Sequence, residues 1–220
     1  MFDSIDPSWP QDVQDRLNEL NCDASALHER SSAIIRALPP QVRQQLLRQA
    51  VGSNTNQKRL FWLRREADQL NQAAATVSAC GQQCSHCCHS GVMLLDSEAK
   101  AIGREIGRVP ADLPEGKYVV TNLDNVGDDF LEKADELASE FTGDPCPFLG
   151  PDSKCSIYAH RPLACRTQIN MDKDALLCKL VPGGKVPVPY LDVTASKMAY
   201  VVTFGLNRKM ADLRYFFPKP

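Results

Sequence analysis

Apolar residues recur at helical spacing from residue 11 to residue 77. This spacing runs from Val13 to Leu38, until Pro39 and Pro40 interrupt the pattern. We expect two helices here, or one broken helix, and then a short helix from Gln41 to about Ala50. Over residues 58–77 the same spacing predicts a long amphipathic helix, which leads into the first cysteine of a dense cluster.

Beyond residue 90 the periodic segments are shorter. Residues 91–95 predict a short buried strand, whereas residues 110–126 have neither period and are expected to be irregular. Proline and glycine among the cysteines of residues 143–166 predict loops. Further helices are predicted over residues 96–107 with Asp96 as N-cap, over residues 128–141, and over residues 194–206 as the final helix. The fold class is therefore mostly α, with a helical N-terminal segment and a small irregular cysteine-rich half.

Charge and apolar run lengths limit the classes of partner. The 25 basic and 27 acidic residues give a net charge of -2, too small to attract nucleic acid or an anionic membrane. The six basic residues between positions 41 and 66 are more typical of a solvated helix face than of a nucleic-acid surface. The start resembles no secretory signal, and no apolar run is long enough for a membrane span. We expect a cytoplasmic protein whose N-terminal helices offer a surface for a protein partner.

Nine cysteines in such a compartment indicate metal binding, because cytosolic thiols are normally kept reduced. Cys22 lies far from the others in sequence and is expected to be a packed or free thiol, with packing favoured. The remaining eight lie between Cys80 and Cys178. They divide the chain into a helical extension (residues 1–79), a metal-binding domain (residues 80–180) and a Pro-rich loop with a C-terminal helix that packs on the core (residues 181–220).

The densest cysteine run contains Cys80, Cys84, Cys87 and Cys88. If the preceding helix continues, Cys80, Cys84 and Cys87 lie on one face, and Cys88 either rejoins them or serves a second site. This spacing favours an iron-sulfur cluster, of the 4Fe-4S type, over the paired C-x2-C ligands of zinc, although zinc stays open. A remote fourth ligand is available among the later cysteines, which are Cys146, Cys155, Cys165 and Cys178.

The later cysteines stand in the motifs C-P-F-L (146–149), C-S-I-Y (155–158) and R-P-L-A-C-R (161–166). Together with the first run, these motifs resemble the bacterial CxxCxxCC cysteine-cluster family over about residues 80 to 166. The resemblance implies zinc or iron chelation by all of its cysteines. The cluster is also similar to that of flagellin lysine N-methylase, which would imply S-adenosylmethionine chemistry. The chain shows no methyltransferase glycine loop, so only the metal is carried over.

Three residues near Cys165 are candidates to support the metal. Arg161 and Arg166 can offset thiolate charge or hold an anionic ligand, and Tyr158 can donate a hydrogen bond to sulfur. No catalytic residue can be assigned. We therefore expect an iron-sulfur or iron protein with redox or S-adenosylmethionine-linked chemistry, against the alternatives of a zinc-stabilised interaction module and a metal carrier.

Overall fold

The structure is a computed structural model that describes residues 5–80, 84–121, 128–179, 186–204 and 207–219, with the backbone alone for residues 128–131. It is mostly α, which confirms the predicted class. Four consecutive helices form its first part: α1 (Gln11–Cys22), α2 (Ala24–Ala37), α3 (Pro40–Gly52) and α4 (Asn56–Ala74).

The N-terminal helices follow the apolar pattern closely. Residue Asp23 separates α1 from α2, so the segment before the prolines is two helices. Pro40 begins α3, because the first turn of a helix needs no amide proton from that position. Thr55 caps α4, where its hydroxyl oxygen accepts a hydrogen bond from the Lys58 amide at 3.3 Å. This helix ends three residues before the predicted Val77, which is exposed.

The second part contains a small sheet between helices. Its elements are β1 (Met93–Leu95), α5 (Asp96–Ile106), β2 (Val119–Thr121), α6 (Asp128–Ser139), α7 (Leu163–Thr167), α8 (Thr194–Phe204), β3 (Arg208–Asp212) and α9 (Leu213–Phe216). Strand β3 is central and pairs antiparallel with both neighbours, Met93 opposite Asp212 and Val119 opposite Met210. The C-terminal segment therefore closes the sheet that β1 begins.

Three predictions about this part were wrong. Strand β2 lies in the segment expected to be irregular, because three residues are too few to show a period. Helix α8 is not the last element, since β3 and α9 follow it. Asp96 is the first residue of α5 rather than its cap, a place that Leu95 takes. The predicted end of that helix is close, because Gly107 takes the left-handed conformation (φ +68°) that terminates it.

Two apolar cores share helix α4. The larger core combines α3, α4, β1 and α5 with residues 146–163 and the C-terminal elements. The smaller core joins α1 and α2 to residues 169–177 and 186–193. Leu60, Leu63 and Ala67 of α4 lie in the larger core, whereas its later residues Leu70 and Ala74 lie in the smaller one. This helix therefore connects the N-terminal helices to the cysteine-bearing half.

In the part of the chain that the structure describes, no helix has the length and apolar character needed to cross a membrane.

Candidate metal centre

Six cysteine side chains from three chain segments line one cavity. Its volume is about 60 Å³, and a water molecule needs roughly 10–15 Å³ on this measure, so a metal ion fits inside. Apolar side chains, among them Val92, Phe148 and Leu213, form part of its wall. The cysteines are Cys84, Cys87, Cys88, Cys146, Cys155 and Cys165.

The first cysteine segment is not a continuation of α4. That helix ends at Ala74, and a 3-10 turn over His86–His89 carries Cys87 and Cys88. The predicted placement of Cys80, Cys84 and Cys87 on one helix face required that α4 continue, and this condition is not met. Residues 81–83 lie outside the described residues. Cys88 lines the same cavity as Cys87, so of the two predicted alternatives Cys88 rejoins the cysteines of the first run. The tight 3-10 turn brings both side chains to the cavity.

The second segment folds back on itself beside this turn. The amide of Cys146 donates to the carbonyl oxygen of Cys88 at 2.7 Å, which joins the two segments directly. A bridge between Leu149 and Cys155 and a bond from the Ser156 amide to the Phe148 carbonyl (2.8 Å) then close a short hairpin. Backbone hydrogen bonds thus hold Cys146 and Cys155 on the cavity wall.

The third segment is α7, which carries Cys165. The buried carboxylate of Glu98, on α5, accepts from the Leu163 amide at the start of α7 at 2.8 Å and from the Tyr200 hydroxyl at 2.6 Å. Burial raises the pKa of Glu98 above its ordinary value. Glu98 therefore connects the start of α7 to α5 and α8. This contact also positions Cys165, which α7 carries.

A buried ion pair near the C-terminus of the chain contacts the segments that form the cavity. Arg214 lies 3.1 Å from Asp212 and donates to the carbonyl oxygens of Cys88 (3.3 Å), Ser90 (3.2 Å) and Asp144 (2.6 Å). The Asp212 carboxylate also accepts from the Val92 amide at 2.5 Å. Sequence reasoning missed this pair, because one arginine two residues after an aspartate has no distinctive local pattern.

The cavity thiols differ in their ionisation. A hydrogen bond from the Cys88 thiol, together with the charge of Arg161, lowers the pKa of Cys87 to about 7. The same hydrogen bond and burial raise the pKa of Cys88. Burial also raises the pKa of Cys146, Cys155 and, most strongly, Cys165. Since thiolates bind metal, loading this cavity must release protons.

The three predicted supporting residues have different surroundings. Arg161 and Tyr158 line the cavity, and the guanidinium carbon of Arg161 lies 4.4 Å from the Tyr158 ring centroid. Arg166 instead pairs with Asp68 at 2.7 Å and donates to the carbonyl oxygen of Ala159 at 2.5 Å, which fixes α7 against α4. The structure thus brings Arg161 to the thiols and gives Arg166 contacts that hold the helix carrying Cys165.

The other cysteines lie outside the cavity lining. Cys80 and Cys178 both contact Asn170, and burial raises the pKa of Cys178 to about 12, assisted by the charges of Cys80 and Cys84. Cys22 is a free, exposed thiol at the end of α1, so the favoured alternative of packing was wrong and the alternative of a free thiol is confirmed. All nine cysteines are in the described part of the chain, and none forms a disulfide there.

The chemistry of the donors fits a soft metal. Thiolates select zinc and iron-sulfur centres over hard cations, and six of them exceed the four ligands of one tetrahedral ion. As they stand, however, no three or more His, Cys, Asp or Glu side chains among the described residues are arranged to hold a metal ion. The residue types therefore fit a soft metal ion or cluster, while the sulfur atoms would have to move closer to one another to coordinate it.

A cavity lined by six thiols within a mostly α fold defines a cysteine-cluster domain. Residues 79–180 match the model of the CxxCxxCC family, described as a "putative zinc- or iron-chelating domain". The match confirms the predicted resemblance and extends it beyond residue 166 to include Cys178. The chain matched no curated protein and no solved structure.

Proposed function

We propose that the six cysteines of the cavity bind an iron-sulfur cluster and that the protein uses it in redox chemistry. The observation that carries the proposal is the convergence of cysteines from three segments on one cavity. Clusters of this kind take thiolate ligands from closely spaced runs and from remote positions of the chain. When bound, such a cluster would supply electron transfer.

The residues around the cavity have defined parts in this proposal. Cys87 is the thiol most easily ionised, and Arg161 offsets negative charge as further thiolates form. The apolar side chains Val92, Phe148 and Leu213 limit the access of water, which tunes the potential of a metal centre. Glu98 and Arg214 hold the segments that carry the ligands.

Anaerobic purification tests the proposal. The protein should be brown and contain iron and acid-labile sulfide, and Cys87→Ser, Cys155→Ser or Cys165→Ser should remove most of the visible absorbance, because serine lacks the soft thiolate. Cys22→Ser is the matched control and should retain it. A folded protein without iron, sulfide or zinc would contradict metal chelation altogether.

Zinc is a second candidate, favoured by the C-x2-C spacing of Cys84 and Cys87 and by the long loops around Cys146 and Cys155. In that case the domain is a zinc-stabilised interaction module, or a carrier if the metal exchanges readily. Stoichiometric zinc without iron in the anaerobic protein would replace the redox proposal with this one. The exchange rate of zinc with a competing chelator then separates a structural module from a carrier.

A further inference from the structure

Asn170 brings together two cysteines that are almost a hundred residues apart in sequence. Its backbone amide donates to the Cys80 sulfur at 3.2 Å, and its side-chain amide donates to the Cys178 sulfur at 3.2 Å. Among the described residues, neither Cys80 nor Cys178 lines the cavity that the other six cysteines share. Two sulfurs thus share one hydrogen-bonding residue outside the main site.

Asn170 is held rigidly enough to place both sulfurs. It is buried, and its side-chain oxygen accepts from the Asp172 amide at 2.8 Å. Its side-chain amide also donates to the Asp174 carbonyl at 3.0 Å, and its own carbonyl accepts from the Ser78 hydroxyl at 2.8 Å. Both cysteine-bearing segments therefore dock on the same residue.

The loop before Cys178 has a further anchor on helix α1. Arg16 contacts Asp172 at 2.8 Å and Asp174 at 2.9 Å. The carboxylates of both aspartates accept hydrogen bonds from Arg16 and from backbone amides of their own loop. The two cysteines are therefore the side chains that can offer a soft metal its ligands here. Hydrogen bonds from amides to sulfur orient thiolate ligands and stabilise their charge.

We propose that Cys80 and Cys178 form a second, outer metal site beside the cavity, which binds a soft divalent ion through its own two thiolates. Two protein thiolates leave coordination positions open to water, so the ion binds more weakly and exchanges more readily than one enclosed by four protein ligands. Because Cys80 is exposed, the site is accessible from solvent. It does not depend on which metal the cavity holds.

Cadmium chloride is the probe, because cadmium is thiophilic and its thiolate complexes absorb in the ultraviolet. Purified protein is titrated with cadmium, and the cadmium bound per chain at each free concentration is measured by equilibrium dialysis. Cys80→Ser and Cys178→Ser should each weaken the affinity for the exchangeable cadmium by at least about tenfold. Loss of a residue that only supports a ligand already costs this much, so loss of a ligand should cost no less. The double variant should lose no more than either single variant, since the ion needs both thiolates.

The matched control is Cys155→Ser, which should lower the iron or zinc of the cavity and leave the exchangeable class intact. The proposal is overturned if Cys80→Ser or Cys178→Ser lowers the cavity metal as Cys155→Ser does, or if cadmium binding is unchanged. If the cavity proves metal-free while the exchangeable class persists, the proposed function fails and the outer site stands.

A second measurement covers a variant that fails to fold. In the unmodified protein, cadmium should protect Cys80 and Cys178 together from alkylation, as mapped by mass spectrometry. Exposed Cys22 should react equally with and without cadmium. Reaction of Cys80 or Cys178 at the same rate under both conditions would contradict the site.

Discussion

The buried carboxyl group of Glu98 couples stability to pH. Because burial raises its pKa above 4.5 in the folded protein, the folded state holds the proton to higher pH than the unfolded state does. Its contribution to the free energy of unfolding is therefore greatest at low pH and falls as the pH rises from 4.5 through the folded pKa. In Glu98→Gln this dependence should disappear, so the wild-type minus variant difference in urea unfolding should change across that range. A constant difference would contradict the assignment.

Arg214 contacts three carbonyl oxygens near the thiols, and lysine cannot reach them all. Arg214→Lys should weaken cavity metal binding by about 10- to 100-fold, as loss of supporting residues does, and lower the free energy of unfolding by about 1–3 kcal/mol. Arg43→Lys alters another buried pair, with Glu66, away from the cavity, and should change stability without changing metal affinity. Equal metal loss in both variants, measured by competition with a chelator, would point to general destabilisation.

The cysteines of the candidate site could be predicted from sequence because their residue type and density identify them. Six of the eight predicted ligands line one cavity, while Cys80 and Cys178 lie at Asn170. The residues that hold them in place could not be predicted in this way. Glu98, Asp212 and Arg214 act through contacts between residues 65 to 126 positions apart, and such contacts leave no local pattern.

At the scale of elements, Gly91 lies where the segment before β1 passes close to helix α6. A Cβ atom at this position would stand 2.2 Å from the carbonyl oxygen of Ala138, so a side chain forces one backbone away from the other. Gly91→Ala should lower the free energy of unfolding by about 1–3 kcal/mol.

Gly52→Ala is the matched control, because no atom lies within 4 Å of its added Cβ. It should be neutral or stabilise by about 0.4–1 kcal/mol, since alanine restricts the unfolded chain more than glycine does. Thermal unfolding of both variants checks the comparison, and a Gly91→Ala protein as stable as Gly52→Ala would show that α6 can shift freely.

Helices were more predictable than strands for a physical reason. Helix α4 spans nineteen residues, so its buried stripe repeats several times and can be read from the sequence. Strand β3 has five residues that begin with exposed Arg208 and Lys209, and its pairing partners lie 87 to 119 positions earlier. Its position at the centre of the sheet depends on those distant partners.

At the scale of the whole molecule, metal removal should act unevenly. The loops of residues 143–157 have few regular elements, so a bound metal would contribute much of their order. Treatment with a chelator should make this segment sensitive to limited proteolysis, while α1–α3 stay resistant, and restored metal should restore protection. Cleavage that begins in the N-terminal helices instead would show that their order depends on the metal more directly.

Because helix α4 belongs to both apolar cores, neither core can lose this helix without exposing residues of the other. The two cores should consequently melt in one cooperative transition, with helix content and tryptophan fluorescence changing together. Ligand binding in the cysteine-bearing half then raises the melting temperature of the N-terminal helices as well. A cell could thus sense an empty metal domain through the whole chain, since proteases that recognise unfolded segments would remove the unloaded protein first.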